Sequence, residues 1–503
     1  MSIASLDGVT PQQGLVSRTL NRVPAWLWFG AAVFIMLAVG GNRMLQDADM
    51  YWQIAVGQSI IDHHAFPVTD SYSFTKLGVP WISSSWLAQV LYAGAYAMAG
   101  WAGPVILASL GVAAAFALLV HALSQRFAAS HAILVAMIAV LLSLHHFLAR
   151  PHVLAMPVMV AWVYGLVSAS DKSKAPSFWL LPLIVLWANL HGGFVLGLAL
   201  VAPFALDALW NAEASQRKAL ALRWAAFGVC AVAASCITPY GWNSLLAARQ
   251  ILDLGGALAL IGEWQPADFS SLGLFEICLL ASLAAVLWRG IVLTPTRILL
   301  VLGFLHMALS HSRNIEVFAL LVPLVLASPV SLQLRPSGVM SAASKASFAG
   351  VVAMILLVSM TTWAFVANHT YTPVAAQTPT DAVNILQARK AERILHNPGF
   401  GGYLITKGIP VFIDGRAELY GEKFVVNTLH ALDLRNAGEF LGLLDSYKID
   451  ATMLRPETPA IHLLDRLEGW QRIFADDVAV VHMRKSGNDL TDPKIKPPGH
   501  SLR

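Results

Sequence analysis

The sequence predicts an α-helical polytopic membrane protein with about 11 transmembrane helices and a small C-terminal extracytoplasmic α/β domain. Hydrophobic residues make up 57% of the 503 residues and charged residues only 12%, which is about half the charged share of a soluble protein. Apolar runs of about twenty residues, the length that an α-helix needs to cross a bilayer, recur up to residue 368. From residue 369 onward the composition is that of a soluble domain.

Eleven apolar segments qualify as candidate transmembrane helices. They are 24–42, 103–123, 131–149, 151–169, 178–190, 193–210, 224–238, 272–288, 298–311, 314–331 and 347–367. The stretch 84–100 is also apolar, but its polar start predicts a helix that lies at the membrane interface or dips into it. The first segment lacks a small-residue cleavage site, which favours an uncleaved helix over a signal peptide.

The basic residues of the loops predict the orientation. Twelve lysines and arginines fall in the N-terminal tail and the inner loops, against five in the outer loops, which is the asymmetry of the positive-inside rule. The sequence therefore predicts a cytoplasmic tail at 1–23, a transmembrane domain at 24–368 with an external loop at 43–102, a periplasmic domain at 369–485 and a disordered tail at 486–503.

The periplasmic domain is predicted to mix helices and strands, over a length sufficient for a small α/β fold. The predicted elements are a helix at 381–395, a turn into a strand at 399–404, a β-run at 410–414, one or two helices at 422–447, a strand at 451–454, a helix at 459–467 and a hairpin formed by 470–474 and 478–483.

Conspicuous polar residues lie near the outer ends of the predicted helices. Asp47 and Asp49 follow the first helix, and the others fall in further outer turns: Arg150, His152, Asn189, His191, Tyr240, Glu263, Trp264 and Arg313. Ionisable groups next to hydrocarbon are costly unless they face a cavity or one another. We therefore expect these residues to line one polar cavity at the outer surface.

The chemistry of these side chains points to a phosphate-bearing substrate. Arg150 and Arg313 suit a phosphate or pyrophosphate, which a guanidinium grips with two hydrogen bonds. Asp47 and Asp49 suit a catalytic base, or ligands of a divalent cation such as Mg²⁺ or Mn²⁺. The other six are candidates for substrate binding. Each alone has a structural alternative: the Asp-x-Asp as a solvated loop, Arg150 as a helix cap and Trp264 as an interfacial anchor. Their common location at the outer face of the membrane favours a functional role over these structural alternatives.

At these residues the chain resembles the C-type (GT-C) glycosyltransferase superfamily. Its members are polytopic enzymes that use polyprenyl-phosphate-linked sugars, among them protein mannosyltransferases, aminoarabinose transferases and oligosaccharyltransferase catalytic subunits. A bacterial branch is most similar. The motifs that carry the resemblance are Asp47-Ala48-Asp49, Asp49-Met-Tyr-Trp52, Pro67-Val-Thr-Asp70, Trp86-Leu-Ala-Gln89, Arg150-Pro-His152, Trp187-Ala-Asn-Leu-His-Gly-Gly193, Pro239-Tyr-Gly-Trp242, Gly401-Gly-Tyr-Leu-Ile405 and Phe412-Ile-Asp-Gly-Arg-Ala-Glu-Leu-Tyr420.

The resemblance implies an inner-membrane glycosyltransferase that moves a sugar from a polyprenyl-phosphate donor to a periplasmic lipid, glycan or protein. In that superfamily the acidic motif after the first helix supplies the base or a metal ligand, a role that carries over to Asp49 or Asp47. The external domain would position the acceptor. Its most polar cluster, Asp414, Arg416 and Glu418, is either part of that function or a salt-bridged turn.

Two other functions remain open from the sequence. A non-catalytic membrane component of a cell-envelope polysaccharide assembly system would keep the same fold. A transporter would place polar residues at the bilayer midplane, often in inverted repeats, whereas here they lie at one face and no repeat is visible. No basic block with interleaved aromatic residues indicates nucleic-acid binding.

Overall fold

The computed structural model describes residues 23–252, 254–260, 262–334 and 348–485. The predicted cytoplasmic tail, apart from residue 23, and the predicted disordered tail at 486–503 lie outside the described residues.

Helices dominate the chain up to residue 368. In chain order they are α1 (Ala25–Val39), α2 (Asp49–His63), α3 (Trp86–Ala99), α4 (Ala102–Ser124), α5 (Ala129–Ser143), α6 (Pro151–Asp171), α7 (Leu181–Leu190), α8 (Phe194–Ala199), α9 (Val201–Asn211), α10 (Ala214–Ser235), α11 (Asn243–Leu252), α12 (Leu274–Arg289), α13 (Pro295–Ser310), α14 (Ile315–Leu334) and α15 (Phe348–Asn368). Every predicted span is matched by one or two of these helices.

Within the part of the chain that the structure describes, seven helical segments are long and apolar enough to cross a membrane. Three more, at 25–39, 178–190 and 295–310, are shorter apolar helices. The chain is therefore a multi-pass membrane protein. Its core is centred on α4, along which Val105, Val112, Phe116 and Leu119 are fully buried.

The external loop contains a helix that the sequence did not predict, α2. Its apolar residues point in two directions, so that no single hydrophobic stripe is visible in the sequence. Met50 and Ile54 pack into the membrane core, whereas Tyr51 and Trp52 pack into the core of the C-terminal domain. A Cβ at Gly57 would lie 2.0 Å from the carbonyl oxygen of Gln89, so that only glycine permits α2 to lie this close to α3.

The C-terminal domain contains a four-stranded sheet with helices packed around it. Its elements are α16 (Thr380–Ala388), β1 (Ile394–His396), α17 (Gly401–Thr406), α18 (Ala417–Tyr420), α19 (Glu422–Leu432), α20 (Ala437–Ser446), β2 (Ala451–Leu454), α21 (Ala460–Leu464), β3 (Trp470–Ala475) and β4 (Val480–Arg484). The strand order is β1-β2-β4-β3, with β1 parallel to β2 and the other pairs antiparallel. The predicted strand at 451–454 and the closing hairpin are confirmed.

Three predictions in this domain were wrong. The segment 399–404 is not a strand, because Asn397 caps a 3₁₀ turn by accepting a hydrogen bond of 3.0 Å from Gly399 N, and α17 follows at once. The segment 410–414 forms only one isolated bridge, between Val411 and Ser73 of the external loop. The predicted helix at 381–395 ends at Ala388, and its last residues form the buried strand β1.

A buried ion cluster ties several membrane helices together at the ends that the sequence predicts to be inner. Arg297, which the predicted spans leave in an inner loop, lies in the first turn of α13 and is only 5% exposed. It contacts Asp171 at the end of α6 and donates to Asp207 of α9 over 3.0 Å. The hydroxyls of Thr294, Thr296 and Ser170 also donate to Asp207. We call these residues the inner ion cluster.

A second buried ion cluster joins the external loop to the C-terminal domain. The Arg416 side chain is fully buried and contacts Asp414 at 2.5 Å and Asp70 at 2.7 Å. The Arg416 guanidinium also lies 4.7 Å from the ring centroid of Trp81. The Tyr420 hydroxyl donates to Asp414 over 2.9 Å. The salt-bridged alternative for Asp414 and Arg416 is therefore what the structure shows, with Asp70 as a third partner.

Replacing Arg416 with alanine should release the C-terminal domain from the external loop. The change leaves two buried carboxylates without a counter-charge, a loss worth about 3–5 kcal/mol of folding free energy. We expect a lower midpoint of thermal unfolding and new trypsin cleavage between residues 64 and 80, with Arg416→Lys intermediate because one ammonium cannot serve both carboxylates as a guanidinium does. An unchanged midpoint and cleavage pattern in Arg416→Ala would contradict this assignment.

Candidate functional site

The predicted outer cavity is organised around Arg150. This residue precedes Pro151, which begins α6. Proline is well suited to this position, because a backbone N–H in the first helical turn has no partner within the helix. The Arg150 carbonyl accepts a hydrogen bond of 3.0 Å from the buried Tyr92 hydroxyl. The preceding Ala149 N donates to Met44 O over 2.8 Å. The backbone that carries the guanidinium is thus held from two sides.

Three carboxylates from two parts of the chain surround the Arg150 side chain. Asp47 contacts Nε, Asp49 lies 3.1 Å from Nη2, and Glu263 lies 2.7 Å from Nη1. Each guanidinium nitrogen therefore faces one carboxylate. The structure brings together these four residues, all of which the sequence singled out. We call Arg150, Asp47, Asp49 and Glu263 the outer ion cluster.

Arg313 and Trp264 complete one wall of this cluster. Arg313 Nη1 lies 3.0 Å from the second oxygen of Glu263, so that the Glu263 carboxylate bridges two arginines. The Arg313 guanidinium also lies 4.4 Å from the Trp264 ring centroid. Burial opposes ionisation of Glu263, but Arg150 and Arg313 outweigh it and lower its pKa. Glu263 is therefore ionised and holds the two cations in place.

Asp49 has the most unusual environment of the acidic residues at the site. Its Oδ1 accepts a hydrogen bond of 3.0 Å from Trp52 Nε1, and its N–H donates to Asp47 Oδ1 over 2.8 Å. Burial raises the pKa of Asp49 to about 7, although the Trp52 hydrogen bond favours the charged form. A carboxyl group with this pKa can gain or lose a proton near neutral pH.

The C-terminal domain forms the opposite wall of the site. A Cβ at Gly415 would lie 1.9 Å from Asp49 Oδ1, so the absence of a side chain lets the backbone reach the carboxylate. Glu418 lies on the same segment and accepts a hydrogen bond of 3.1 Å from Trp81 Nε1. Burial raises the pKa of Glu418. The rings of Trp52 and Trp81 meet edge to face at 6.3 Å, so an aromatic wall runs from Asp49 to Glu418.

Glu418 and Trp52 are neighbours of the site that the sequence did not place there. Both lie in motifs that carry the resemblance, but the sequence left Glu418 open between a role in positioning the acceptor and a salt-bridged turn, and it assigned Trp52 no partner. The signal available for Glu418 was its position two residues after Arg416 in the same polar motif. Its distance of more than three hundred residues from Asp49 along the chain hid the contact.

The two predicted histidines lie behind the outer ion cluster. His152 Nε2 is 2.9 Å from the carbonyl oxygen of His146 and 3.8 Å from Glu316. The His191 ring centroid lies 6.3 Å from that of His152. Burial and then the positive charge of Arg313 lower the pKa of His191 to about 4, so this imidazole is neutral. The buried Glu316 was not predicted; a glutamate inside a candidate span was the signal for it.

Asn189 and Tyr240 lie apart from the charged residues. Asn189 Oδ1 accepts a hydrogen bond of 2.7 Å from Trp86 Nε1, and its amide nitrogen donates to the carbonyls of Val185 and Ile237. The Tyr240 hydroxyl donates to the Pro67 carbonyl over 3.0 Å. These two side chains hold outer segments together, and their predicted contact with substrate stays a prediction.

An open, mainly apolar groove of about 470 Å³ lies beside Asn189. It is lined by Trp86, Leu87, Pro182, Val185, Leu186, Asn189, Ile237, Thr238 and Pro239. From Asn189 to Pro182 it follows α7 for about 10 Å at the rise of an α-helix. His191, two residues beyond Asn189, is close enough to Arg150 and Arg313 to feel their charges. The groove therefore ends near the outer ion cluster.

The predicted metal ligands, Asp47 and Asp49, lack the arrangement that a divalent cation needs. Mg²⁺ takes about six oxygen ligands at 2.0–2.1 Å. In the described residues no group of three or more His, Cys, Asp or Glu side chains is arranged to hold a metal ion. Asp47 and Asp49 direct one oxygen each at the Arg150 guanidinium instead. As placed, these residues do not fit a metal site.

No family model matches the chain, and no curated protein matches it. Several solved structures do match it, at low sequence identity. Oligosaccharyltransferase AglB from Archaeoglobus fulgidus, in complex with an inhibitory peptide and a dolichol-phosphate, aligns with a TM-score of 0.52 at 11% identity, covering 85% of this chain and 69% of that chain. The apo form of the A. fulgidus enzyme aligns with a TM-score of 0.47 at 10% identity, with the same coverage of the two chains. Apo ArnT from Cupriavidus metallidurans aligns with a TM-score of 0.47 at 15% identity, covering 90% of this chain and 97% of that chain.

The alignment with AglB shows that this chain shares the fold of that oligosaccharyltransferase over most of its length. The resemblance seen in the sequence is confirmed at the level of the fold. The predicted combination of a helical membrane domain and a small C-terminal sheet domain is confirmed as well.

The Asp49 carboxyl should titrate near pH 7, because its buried site disfavours the charged form. In pH-difference infrared spectra of the purified protein we expect a protonated-carboxyl band that disappears with a midpoint near 7 and is absent from Asp49→Asn. Asp268→Asn is the matched control, because Asp268 is exposed and a backbone hydrogen bond from Ser270 lowers its pKa. A band that persists in Asp49→Asn would assign the titration to another group.

Proposed function

We propose that this protein is a glycosyltransferase of the bacterial inner membrane, which transfers a sugar from a polyprenyl-phosphate donor to a periplasmic lipid, glycan or protein. The observation that carries the proposal is Asp49, a carboxyl group with a pKa of about 7 held against Arg150 near the end of an apolar groove. The shared fold with AglB, whose complex contains a dolichol-phosphate, supports the same class of donor.

The groove and the arginines suit the two ends of such a donor. An isoprenoid chain needs an apolar surface continuous with the membrane interior, which the groove along α7 supplies. Its phosphate needs cations where the chain ends, and Arg150 and Arg313 offer paired guanidinium donors there. In the unliganded protein Glu263 occupies both arginines, so a donor phosphate competes with this carboxylate.

Asp49 is placed to act as the general base. The carboxylate takes the proton of an acceptor hydroxyl, the acceptor oxygen attacks the anomeric carbon, and the bond from that carbon to the phosphate oxygen breaks. The electron pair leaves with the polyprenyl phosphate, whose charge Arg150 and Arg313 stabilise. Asp47 fixes the geometry by accepting the Asp49 N–H.

The acceptor would approach between the membrane domain and the C-terminal domain. Trp52 and Trp81 are buried at that boundary, where Trp81 donates a hydrogen bond to Glu418. Their rings suit the apolar face of a sugar, and the Glu418 carboxylate suits its hydroxyls. The predicted orientation puts this boundary in the periplasm.

Asp49→Asn should abolish the transfer while leaving the fold intact. Loss of a general base lowers the rate by about 10²–10⁴-fold, and we expect a smaller loss for Asp47→Asn. The measurement is mass spectrometry of surface glycans and glycolipids from a deletion strain that carries each variant, with Asp268→Asn as the control and immunoblots for protein level. Unchanged glycan and glycolipid profiles in Asp47→Asn, Asp49→Asn and the double variant would contradict the proposed activity and favour a non-catalytic assembly component.

The transfer rate should rise with pH through a midpoint near 7, because only ionised Asp49 accepts a proton. The donor for this assay is the lipid identified by mass spectrometry in the purified protein, and kcat/KM is measured under single-turnover conditions. A rate that is flat between about pH 6 and pH 8 would exclude Asp49 as the base.

Glu263→Gln should strengthen binding of a synthetic polyprenyl phosphate, and Arg313→Ala should weaken it, each by roughly tenfold. The glutamine removes the internal anion that competes for the two arginines. The polyprenol of the same length, which lacks the phosphate, is the control ligand and should bind all variants alike. Equal effects on both ligands would place the phosphate elsewhere.

A further inference from the structure

Arg150 makes more charged contacts than any other residue among the ion pairs of the described part of the chain. Its three guanidinium nitrogens each face a different carboxylate, from Asp47, Asp49 and Glu263. Several carboxylates converging on one point are the usual surroundings of a divalent cation. Here the point is occupied by a side chain of the protein itself.

The remaining oxygens of these carboxylates are also engaged. Asp47 Oδ1 accepts the Asp49 N–H, Asp49 Oδ1 accepts Trp52 Nε1, and Glu263 Oε1 lies against Arg313. Every carboxylate thus has one oxygen paired by charge with Arg150 and its other oxygen on a different donor. A metal ion would have to displace these contacts to complete its own coordination.

The placement of Arg150 does not depend on its side-chain contacts alone. Its carbonyl is held by the fully buried Tyr92, its neighbour Ala149 bonds to Met44, and Pro151 fixes the helix start. Because this backbone is held in place, making room for an ion would require the guanidinium to leave its three carboxylate partners. The Arg150 side chain is 22% exposed.

We infer that Arg150 is the resident cation of the outer ion cluster: it holds Asp47, Asp49 and Glu263 together as a divalent metal would, and it excludes such a metal from the site. The guanidinium supplies one positive charge in a fixed plane and, unlike a metal ion, is never lost to a chelator. Asp47 and Asp49 are then partners of Arg150 rather than metal ligands. This inference concerns ion binding and stands apart from the proposed function.

The experiment is a Mn²⁺ titration followed by electron paramagnetic resonance, on the full-length protein purified in detergent and treated with EDTA. Mn²⁺ is the probe because it favours carboxylate oxygen ligands. We expect no saturable site in the wild-type protein. Removing the guanidinium frees three carboxylates around one space, so Arg150→Ala should bind one Mn²⁺ at least about tenfold more tightly than the wild type. The double variant Arg150→Ala, Asp49→Asn should lose that site.

Arg313→Ala is the matched control, because Arg313 contacts only Glu263 among these carboxylates and should not open a Mn²⁺ site. Arg150→Lys keeps the charge and should exclude Mn²⁺ as the wild type does. A wild-type site that disappears in Asp47→Asn or Asp49→Asn would overturn the inference, and so would a folded Arg150→Ala protein that binds no Mn²⁺. If Arg150→Ala does not fold, the wild-type and Arg150→Lys titrations still test the inference. A saturable Mn²⁺ site in either protein would contradict it.

Discussion

The contact of one guanidinium with three carboxylates is the constraint on which the outer half of this molecule depends. Asp47 and Asp49 come from the start of α2, beyond the first membrane helix, Arg150 from the start of α6, and Glu263 from a short turn that packs on Arg313. An unpaired charge so close to hydrocarbon would be costly. The three chain segments are therefore bound to one another by ion pairs as well as by the buried apolar residues beside them.

Helix α2 extends this constraint to the C-terminal domain. It begins at Asp49, so the first residue of the helix belongs to the outer ion cluster and the following turns belong to two hydrophobic cores at once. The domain closes on it through Gly415, which touches Asp49, and through the Asp70–Arg416 pair. A carboxyl group that a separate domain covers loses water, and this is the physical origin of its raised pKa.

The sequence predicted the features that depend on composition and local pattern. Apolar length identified the membrane helices, and the two short runs at 470–474 and 478–483 identified the closing hairpin. It failed where tertiary contacts decide: α2 has two apolar faces, and Gly401 and Gly402 continue into a helix because α17 packs against α2. The site was predicted as a set of residues at one face. Its centre was not, because ion pairing between Arg150 and carboxylates up to 113 positions away leaves no local signature.

The inner ion cluster has a consequence for how this molecule can move. Arg297 bridges Asp171 and Asp207 and also donates to the Val325 carbonyl, so that four membrane helices meet at one buried point opposite the outer site. Separating these helices would leave buried charges without partners, at a cost of several kcal/mol for each ion pair that is broken. The bundle is thus locked at the end of α6 that lies away from Arg150, and motion between these four helices is restricted there.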